Sequence, residues 1–125
     1  MEATNQEGNH IEMDGSPDIG GDNLGFRPMQ LMLAGLGGCS TIDILDILKK
    51  QRQEVKDVTI DLDASRRENE VPSLFKSIHI RYTIYGKVDE PKVKRAIDLS
   101  LEKYCSVAKI IEKTASITYS FEVKP

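Results

Sequence analysis

The fold depends first on the segment LAGLGGCSTIDILDILKK (residues 33–50), which carries three glycines and a cysteine in an otherwise strongly helical run. A glycine in a helix interior costs roughly 1 kcal/mol relative to alanine, so three of them within four positions require an explanation. Two explanations stand at this point. Cys39 is either a reactive thiol for which the glycines make room, or a small core residue in a crowded helix.

Pro28 suits the first turn of a helix, and no further proline follows for many residues, which predicts a first helix over residues 28–53. At 100° per residue its apolar side chains face almost all directions, and this indicates burial on every face. One sheet and one neighbouring helix do not suffice to cover such a helix in a chain of 125 residues. We therefore expect a second subunit to cover the rest.

One polar stripe interrupts the apolar surface of this helix, because Cys39, Asp43, Asp46 and Lys50 have helical spacing and align on one side. In an alternative interpretation, Gly37 and Gly38 break the helix, Ser40 caps a new one, and Cys39 lies beside its N-terminal dipole. A continuous helix is favoured, since small and apolar residues keep one helical phase through the glycines: Leu31, Ala34, Gly38, Ile42 and Leu45.

The other elements follow from alternating and helical hydrophobic patterns, and we expect a single domain over residues 1–125. Asp89 is a plausible N-cap for the second helix. The predicted elements are a polar N-terminal arm over residues 1–25 with a short strand at 10–14, an antiparallel strand pair over 54–87, a second helix over 89–105 and a final strand over 115–123.

Composition and charge disfavour several classes of function. The net charge of −3, with acidic and basic residues interspersed, gives no footprint for nucleic acid or an anionic membrane. No apolar run approaches the ~20 residues of a membrane span, and MEATNQEGNHIEMDG lacks the features of a signal peptide, so we expect a cytoplasmic protein. His10 and His79 are far apart and GLGG matches no nucleotide-binding loop, so neither a metal nor a cofactor is expected.

The chain has two cysteines, Cys39 and Cys105. A reactive thiol needs its pKa lowered from about 8.5, whereas a carboxylate such as Asp43, one helical turn away, raises the pKa of a neighbouring thiol. Spacing alone therefore favours an inert Cys39. A glycine-lined helix crossing would allow the Cα separation of roughly 4 to 7 Å that a disulfide between the two cysteines needs. The simpler role of the glycines is to let two helices cross.

Two motifs resemble the OsmC/Ohr family of osmotically inducible protein C and organic hydroperoxide resistance proteins, and are closest to its shorter YhfA-like branch. They are RPMQLMLAGLGGCSTIDI, with a proline eleven residues before a cysteine, and EKYCSVAKIIEKTASITYSFEV near the C-terminus. The resemblance covers essentially the whole chain. It implies an α+β, OsmC-like fold in which two long central helices are enclosed by antiparallel sheets of an intertwined homodimer.

The resemblance also implies thiol peroxidase chemistry of the peroxiredoxin type in an oxidative-stress response. The cysteine that matches Cys39 attacks the distal oxygen of an organic or hydrogen peroxide and becomes a sulfenic acid. The cysteine that matches Cys105 resolves it as a disulfide. A dithiol reductant, of the lipoyl type in this family, then reduces the disulfide.

The sequence departs from the family at two activating positions. Active members hold the thiolate with an arginine from an N-terminal strand and a glutamate just after the helix-opening proline. Here Met29 and Gln30 follow the proline, and no arginine or lysine precedes Arg27. The helix rise places Arg27 about 18 Å from Cys39 in its own chain, so we expect it to act only across a dimer interface. Arg27, Gln30 and Asp43 are the candidate accessory residues of a weak peroxidase.

Two further functions remain open at this point. The first is a non-catalytic OsmC-like dimer that binds a small apolar or thiol-reactive ligand at its interface, where Met29 makes the pocket more apolar. The second is a scaffold whose cysteines fill the core.

Overall fold

The computed structural model describes all 125 residues. They form two compact units, Met1–Gly35 and Leu36–Pro125. The long helix α1 (Pro28–Lys50) begins in the first unit and ends in the second. The interpretation of residues 1–125 as a single domain stays a prediction.

The first unit is built on a short hairpin in which β1 (Glu2–Thr4) pairs antiparallel with β2 (His10–Glu12). The predicted short strand of the arm is therefore present but ends two residues earlier, and it has a partner that the sequence pattern did not predict. The Asp14 carboxylate accepts hydrogen bonds from the backbone N–H groups of Asp22 and Leu24. These bonds hold the following loop and lower the pKa of Asp14.

Helix α1 begins at Pro28 as predicted and ends at Lys50, three residues before the predicted end. The helix stops because Arg52 takes a left-handed backbone conformation with φ 59°. The N–H of Gln53 then donates to the carbonyl of Leu48 at 2.9 Å. This return bond satisfies a carbonyl that the ended helix would otherwise leave without a partner.

The glycines do not interrupt α1, so the alternative with a helix break and a new N-cap at Ser40 is wrong. Ser40 Oγ bonds instead to the carbonyl of Gly37 at 3.1 Å. A Cβ on Gly37 would lie 3.1 Å from Cδ1 of Leu62. Gly37 therefore lets α1 approach the following strand closely, whereas a Cβ on Gly38 would meet nothing.

The expectation that no segment is apolar enough to span a membrane is wrong for α1. An 18-residue window of it has a mean hydropathy of 1.6, so α1 could cross a bilayer by length and composition alone. Core helices have the same length and composition. Leu36, Ile44 and Leu48 are completely buried, so one face of α1 belongs to the core, and a third of the apolar window is buried in all.

The second unit contains a three-stranded sheet of order β3 (Glu54–Arg66), β4 (Phe75–Lys87) and β5 (Ser116–Lys124). Strands β3 and β4 are antiparallel, as predicted. Strand β5 runs parallel to β4, so the expectation of purely antiparallel sheets is wrong for this strand. The reason is the helical connection between β4 and β5, since parallel neighbours require a crossover of a dozen or more residues.

The connection between β4 and β5 is α2 (Glu90–Leu99), a π-helical turn (Ser100–Tyr104) and α3 (Ser106–Ile111). The predicted second helix over 89–105 is thus helical up to Tyr104, but its hydrogen-bond pattern changes at Ser100. Cys105 has an extended backbone and is the N-cap of α3. Asp89 is the N-cap of α2 as expected, although its side chain makes no capping bond.

The core of the second unit lies between one face of the sheet and the helices. Every second residue of β4 is buried from Ile78 to Ile84, which is the pattern of a strand with one covered face. The opposite face carries polar pairs, among them His79 bonded to Thr118 and Ser120. The other buried apolar side chains come from the helices: Leu36, Ile44, Leu48, Val93, Ala96, Ile97, Ala108 and Ile111.

Substituting Leu48→Ala is expected to lower the free energy of unfolding by about 2 to 5 kcal/mol, because it removes a fully buried side chain and leaves a cavity. The neighbouring exposed substitution Lys49→Ala is the control and should change it by no more than about 0.5 kcal/mol. Urea unfolding at one fixed protein concentration measures both. Equal effects would contradict the burial of this face of α1.

Candidate active site

Three of the candidate residues meet in the second unit. Cys39 lies on α1, Asp43 follows one turn later, and Cys105 lies between the π-helical turn and α3. Their two sulfurs and a carboxylate oxygen are all within 4.8 Å of one another. Both thiols are free. Cys39 is half-buried and Cys105 is fully buried, so a reagent from solvent meets Cys39 first.

Two buried serines hold α1 against the segment that precedes Cys105. The hydroxyl of Ser100 lies 3.2 Å from the carbonyl oxygen of Ser40 and 3.0 Å from Oδ2 of Asp43. The hydroxyl of Ser40 lies 2.7 Å from that of Tyr82 on β4. Because these side chains are small and their polar groups are satisfied, the backbones can approach closely at this crossing.

The expected glycine-lined crossing is therefore wrong. Gly37 faces Leu62 and Ile60 of β3 rather than the second helix, and Gly38 faces open space. The contact that brings the two cysteines together is made by serines instead.

The π-helical turn sets the direction of Cys105. The backbone N–H of Cys105 donates to the carbonyl of Ser100, five residues earlier, at 2.7 Å. A π-helical turn inserts one residue into the helix, and each residue of an α-helix corresponds to a rotation of about 100°. The insertion allows Ser100 and Cys105 to face α1 together. The Cys105 sulfur also accepts a hydrogen bond from the N–H of Ala108 at 3.4 Å.

Burial raises the pKa of the Cys105 thiol to about 11, and the neighbouring Cys39 and Asp43 add to this rise, while the N–H of Ala108 opposes it. Burial likewise raises the pKa of Tyr82 to about 12, with the bond to Ser40 acting in the opposite direction. At neutral pH Cys105 is therefore a thiol and Tyr82 a phenol.

A cavity of about 430 Å³ opens beside this cluster. Three of the four residues of the polar stripe of α1 line it, namely Asp43, Asp46 and Lys50, whereas Cys39 does not. Ile47, from α1, and Leu99 provide apolar wall. The cavity thus offers room for an organic molecule next to Asp43.

The other two candidates, Arg27 and Gln30, interact with each other at the start of α1. Oε1 of Gln30 accepts a hydrogen bond from the backbone N–H of Arg27 at 3.0 Å, which satisfies one free donor of the helix N-terminus. The guanidinium of Arg27 donates to Oδ1 of Asn23 at 3.4 Å. The accessory roles of Arg27 and Gln30 stay predictions.

Sequence reasoning missed the roles of Ser100 and Tyr82 and considered Ser40 only as an N-cap. A signal existed for the serines, because Ser40 lies one turn from both Leu36 and Ile44 and so falls in the buried helical phase. Ser100 likewise follows Ile97 at helical spacing. A small polar residue in an apolar phase indicates a buried hydrogen bond.

Comparison with known proteins assigns the class. The family model of the OsmC-like proteins matches residues 20–120, and the chain belongs to this family. It is 45% identical over 117 residues to Protein YhfA of Escherichia coli K12, which covers 93% of this chain and 84% of that protein. The resemblance inferred from the two motifs is thereby confirmed.

Two solved structures support the fold. A hypothetical protein of Aquifex aeolicus is 40% identical, with a TM-score of 0.83, and the alignment covers 97% of this chain and 84% of the other. A Legionella pneumophila structure described as an organic hydroperoxide resistance protein OsmC and predicted redox protein has a TM-score of 0.74 at 18% identity. That alignment covers 97% of this chain and 88% of the other. The α+β, OsmC-like fold is confirmed.

The raised pKa of Cys105 predicts a loss of stability in alkali. An unfolded thiol titrates near pH 8.5, whereas the folded Cys105 holds its proton up to about 11. The contribution of Cys105 to the free energy of unfolding is therefore complete below about pH 8.5. It is lost as the pH rises toward the pKa of about 11 that Cys105 has in the folded state. In reducing buffer, the urea midpoint of the wild type should fall more than that of Cys105→Ser between about pH 8 and pH 10. Parallel pH profiles would contradict the burial of this thiol.

Proposed function

We propose that this protein is a thiol-dependent peroxidase in which Cys39 reduces an organic or hydrogen peroxide and Cys105 resolves the oxidised cysteine. The observation that carries the proposal is the pair of sulfurs within 4.8 Å, one half-buried and one fully buried. The unequal exposure suits two different roles. The half-buried Cys39 reacts with the oxidant, and the fully buried Cys105 reacts afterwards with the oxidised Cys39. The organic hydroperoxide resistance relative supports the same chemistry.

In the first step, the Cys39 thiolate attacks the distal peroxide oxygen. An S–O bond forms, the O–O bond breaks, and the leaving alkoxide takes a proton to become an alcohol. Cys39 is then a sulfenic acid, the reversible stage of cysteine oxidation. The cavity beside Asp43 offers room for the organic part of the peroxide.

In the second step, the Cys105 sulfur attacks Cys39 Sγ, an S–S bond forms, and hydroxide leaves and is protonated to water. Cys105 must lose its proton for this attack, because its pKa is about 11. The carboxylate of Asp43 lies within 4.8 Å and is the proposed proton acceptor. A dithiol of the lipoyl type then restores both thiols by exchange and is itself oxidised to a disulfide.

The same proposal includes a homodimer in the cytoplasm. On the part of α1 that belongs to the second unit, Ile42 is 70% exposed and Leu45 is 38% exposed. Gly38 faces open space on the same side. This apolar stripe is the surface that the all-round apolar helix predicts a second subunit to cover.

Peroxide-dependent consumption of dithiothreitol tests the chemistry. With cumene hydroperoxide, the wild type should turn over and Cys39→Ser should fall to the uncatalysed rate, because its nucleophile is gone. Cys105→Ser should accumulate a sulfenic acid that dimedone traps and mass spectrometry detects. No internal disulfide should form in that variant.

Ser106→Ala is the matched control, since Ser106 is exposed and adjacent to Cys105, and it should retain the wild-type rate. Equal rates for the wild type and Cys39→Ser would overturn the proposal. That result would favour the non-catalytic dimer that binds a small apolar or thiol-reactive ligand.

The dimer is tested by placing charge on its proposed surface. The wild type should have twice the 14.0 kDa chain mass by light scattering, and Ile42→Asp should shift it toward the single-chain mass. The cause is the cost of burying an unpaired carboxylate. Val71→Asp, at a fully exposed position, is the control and should leave the mass unchanged. A wild type at the single-chain mass would contradict the dimer.

A further inference from the structure

We propose that the reduced Cys39 and Cys105 thiols form, together with the Asp43 carboxylate, a binding site for a thiophilic divalent cation, of which Zn²⁺ fits best. Two sulfurs and one carboxylate oxygen converge within 4.8 Å. Thiolates select soft and borderline metals, and a carboxylate completes common zinc donor sets. Hard cations such as Mg²⁺ prefer oxygen shells, so this donor set disfavours them.

The spacing of the donors suits a tetrahedral ion. With Zn–S near 2.3 Å and Zn–O near 2.0 Å, two sulfurs and one oxygen around a tetrahedral zinc lie about 3.5 to 3.8 Å apart. The observed limit of 4.8 Å exceeds this by about 1 Å. We expect rotation of the three side chains to close this gap.

The surroundings of the donors already orient them. Ser100 donates a hydrogen bond to Oδ2 of Asp43 at 3.0 Å, which fixes the carboxylate and leaves its other oxygen free. The N–H of Ala108 donates to the Cys105 sulfur at 3.4 Å. Hydrogen bonds of this kind orient the ligands of metal sites and tune their basicity.

The Asp43 carboxylate has no ion-pair partner within the chain. Each ion pair of the protein joins other residues, and none of them includes Asp43. Metal binding displaces the thiol protons, and two thiolates together with a carboxylate would then carry three negative charges. A divalent cation neutralises most of this charge at a half-buried position, where uncompensated charge is costly.

The site has three protein ligands and one open position. Cys105 is fully buried, whereas Cys39 is only half-buried. Three protein ligands with an open fourth position are typical of catalytic zinc sites, whereas structural sites are closed. The ion and a peroxide would therefore compete for the Cys39 sulfur. Metal binding itself does not depend on peroxidase activity.

Cobalt titration tests the site directly. Co²⁺ added to the reduced full-length protein without oxygen should give a thiolate-to-metal charge-transfer band and the visible bands of a four-coordinate ion, and Zn²⁺ should remove both. Cys39→Ser and Cys105→Ser should each halve the charge-transfer intensity. Asp43→Asn should weaken zinc binding in competition with a chromophoric chelator. The matched control is Asp46→Asn, one turn along the same helix, and it should bind as the wild type does.

Ser100→Ala separates a designed site from a chance cluster, since removing a hydrogen bond to a ligand typically weakens metal binding by about 10-fold or more. Full charge-transfer intensity in either cysteine variant would overturn the proposal, as would equal zinc affinity in Asp43→Asn and the wild type. Circular dichroism without metal confirms that each variant is folded. The charge-transfer band is measured without peroxide. If the band is absent from a protein that is an active peroxidase, the metal site is rejected and the proposed peroxidase function stands.

Discussion

Cys39, Cys105 and Asp43 together form a thiol centre. The hydrogen bonding of the Ser100 hydroxyl is the interaction on which this centre depends. This hydroxyl lies within hydrogen-bonding distance of the Ser40 carbonyl and the Asp43 carboxylate, and both serines are fully buried. A buried hydroxyl without a partner costs about 1 to 3 kcal/mol. The two helical segments therefore cannot slide apart without leaving polar groups unsatisfied, and the same contact holds Asp43, whose carboxylate lies within 4.8 Å of both sulfurs.

The π-helical turn explains why the two thiols differ. It ends at Tyr104, and Cys105 follows with an extended backbone that caps the next helix. At this position Cys105 is fully buried, whereas Cys39 is half-buried and lies on the polar stripe of α1. Single π-helical turns are frequent at functional sites. The same arrangement serves the proposed resolving thiol and the proposed metal ligand.

Much of the fold was predictable because it follows from periodicity. The continuous helix from Pro28 and the β3–β4 pair agree with the hydrophobic patterns. The direction of β5 was not predictable, since alternation is the same in parallel and antiparallel strands. The hairpin partner of β2 was missed because Glu2–Thr4 is short and polar.

The thiol centre was predictable only in part. Spacing aligned Cys39 with Asp43, and the family motifs singled out Cys105. Spacing does not identify which neighbour faces each side of a helix, so Gly37 was assigned to the wrong contact and the contacts of the two serines were overlooked.

The parallel pairing of β5 with β4 joins residues that are far apart in the sequence. Cys105 lies in the connection between these two strands, β4 and β5 (Ser116–Lys124). Contacts distant in sequence form late, because loop closure must precede them. During synthesis Cys39 leaves the ribosome 66 residues before Cys105 and spends that interval as a solitary sulfhydryl. A sulfenic acid formed on Cys39 in that interval would have no thiol of its own chain to condense with, whereas the folded protein places the Cys105 sulfur within 4.8 Å.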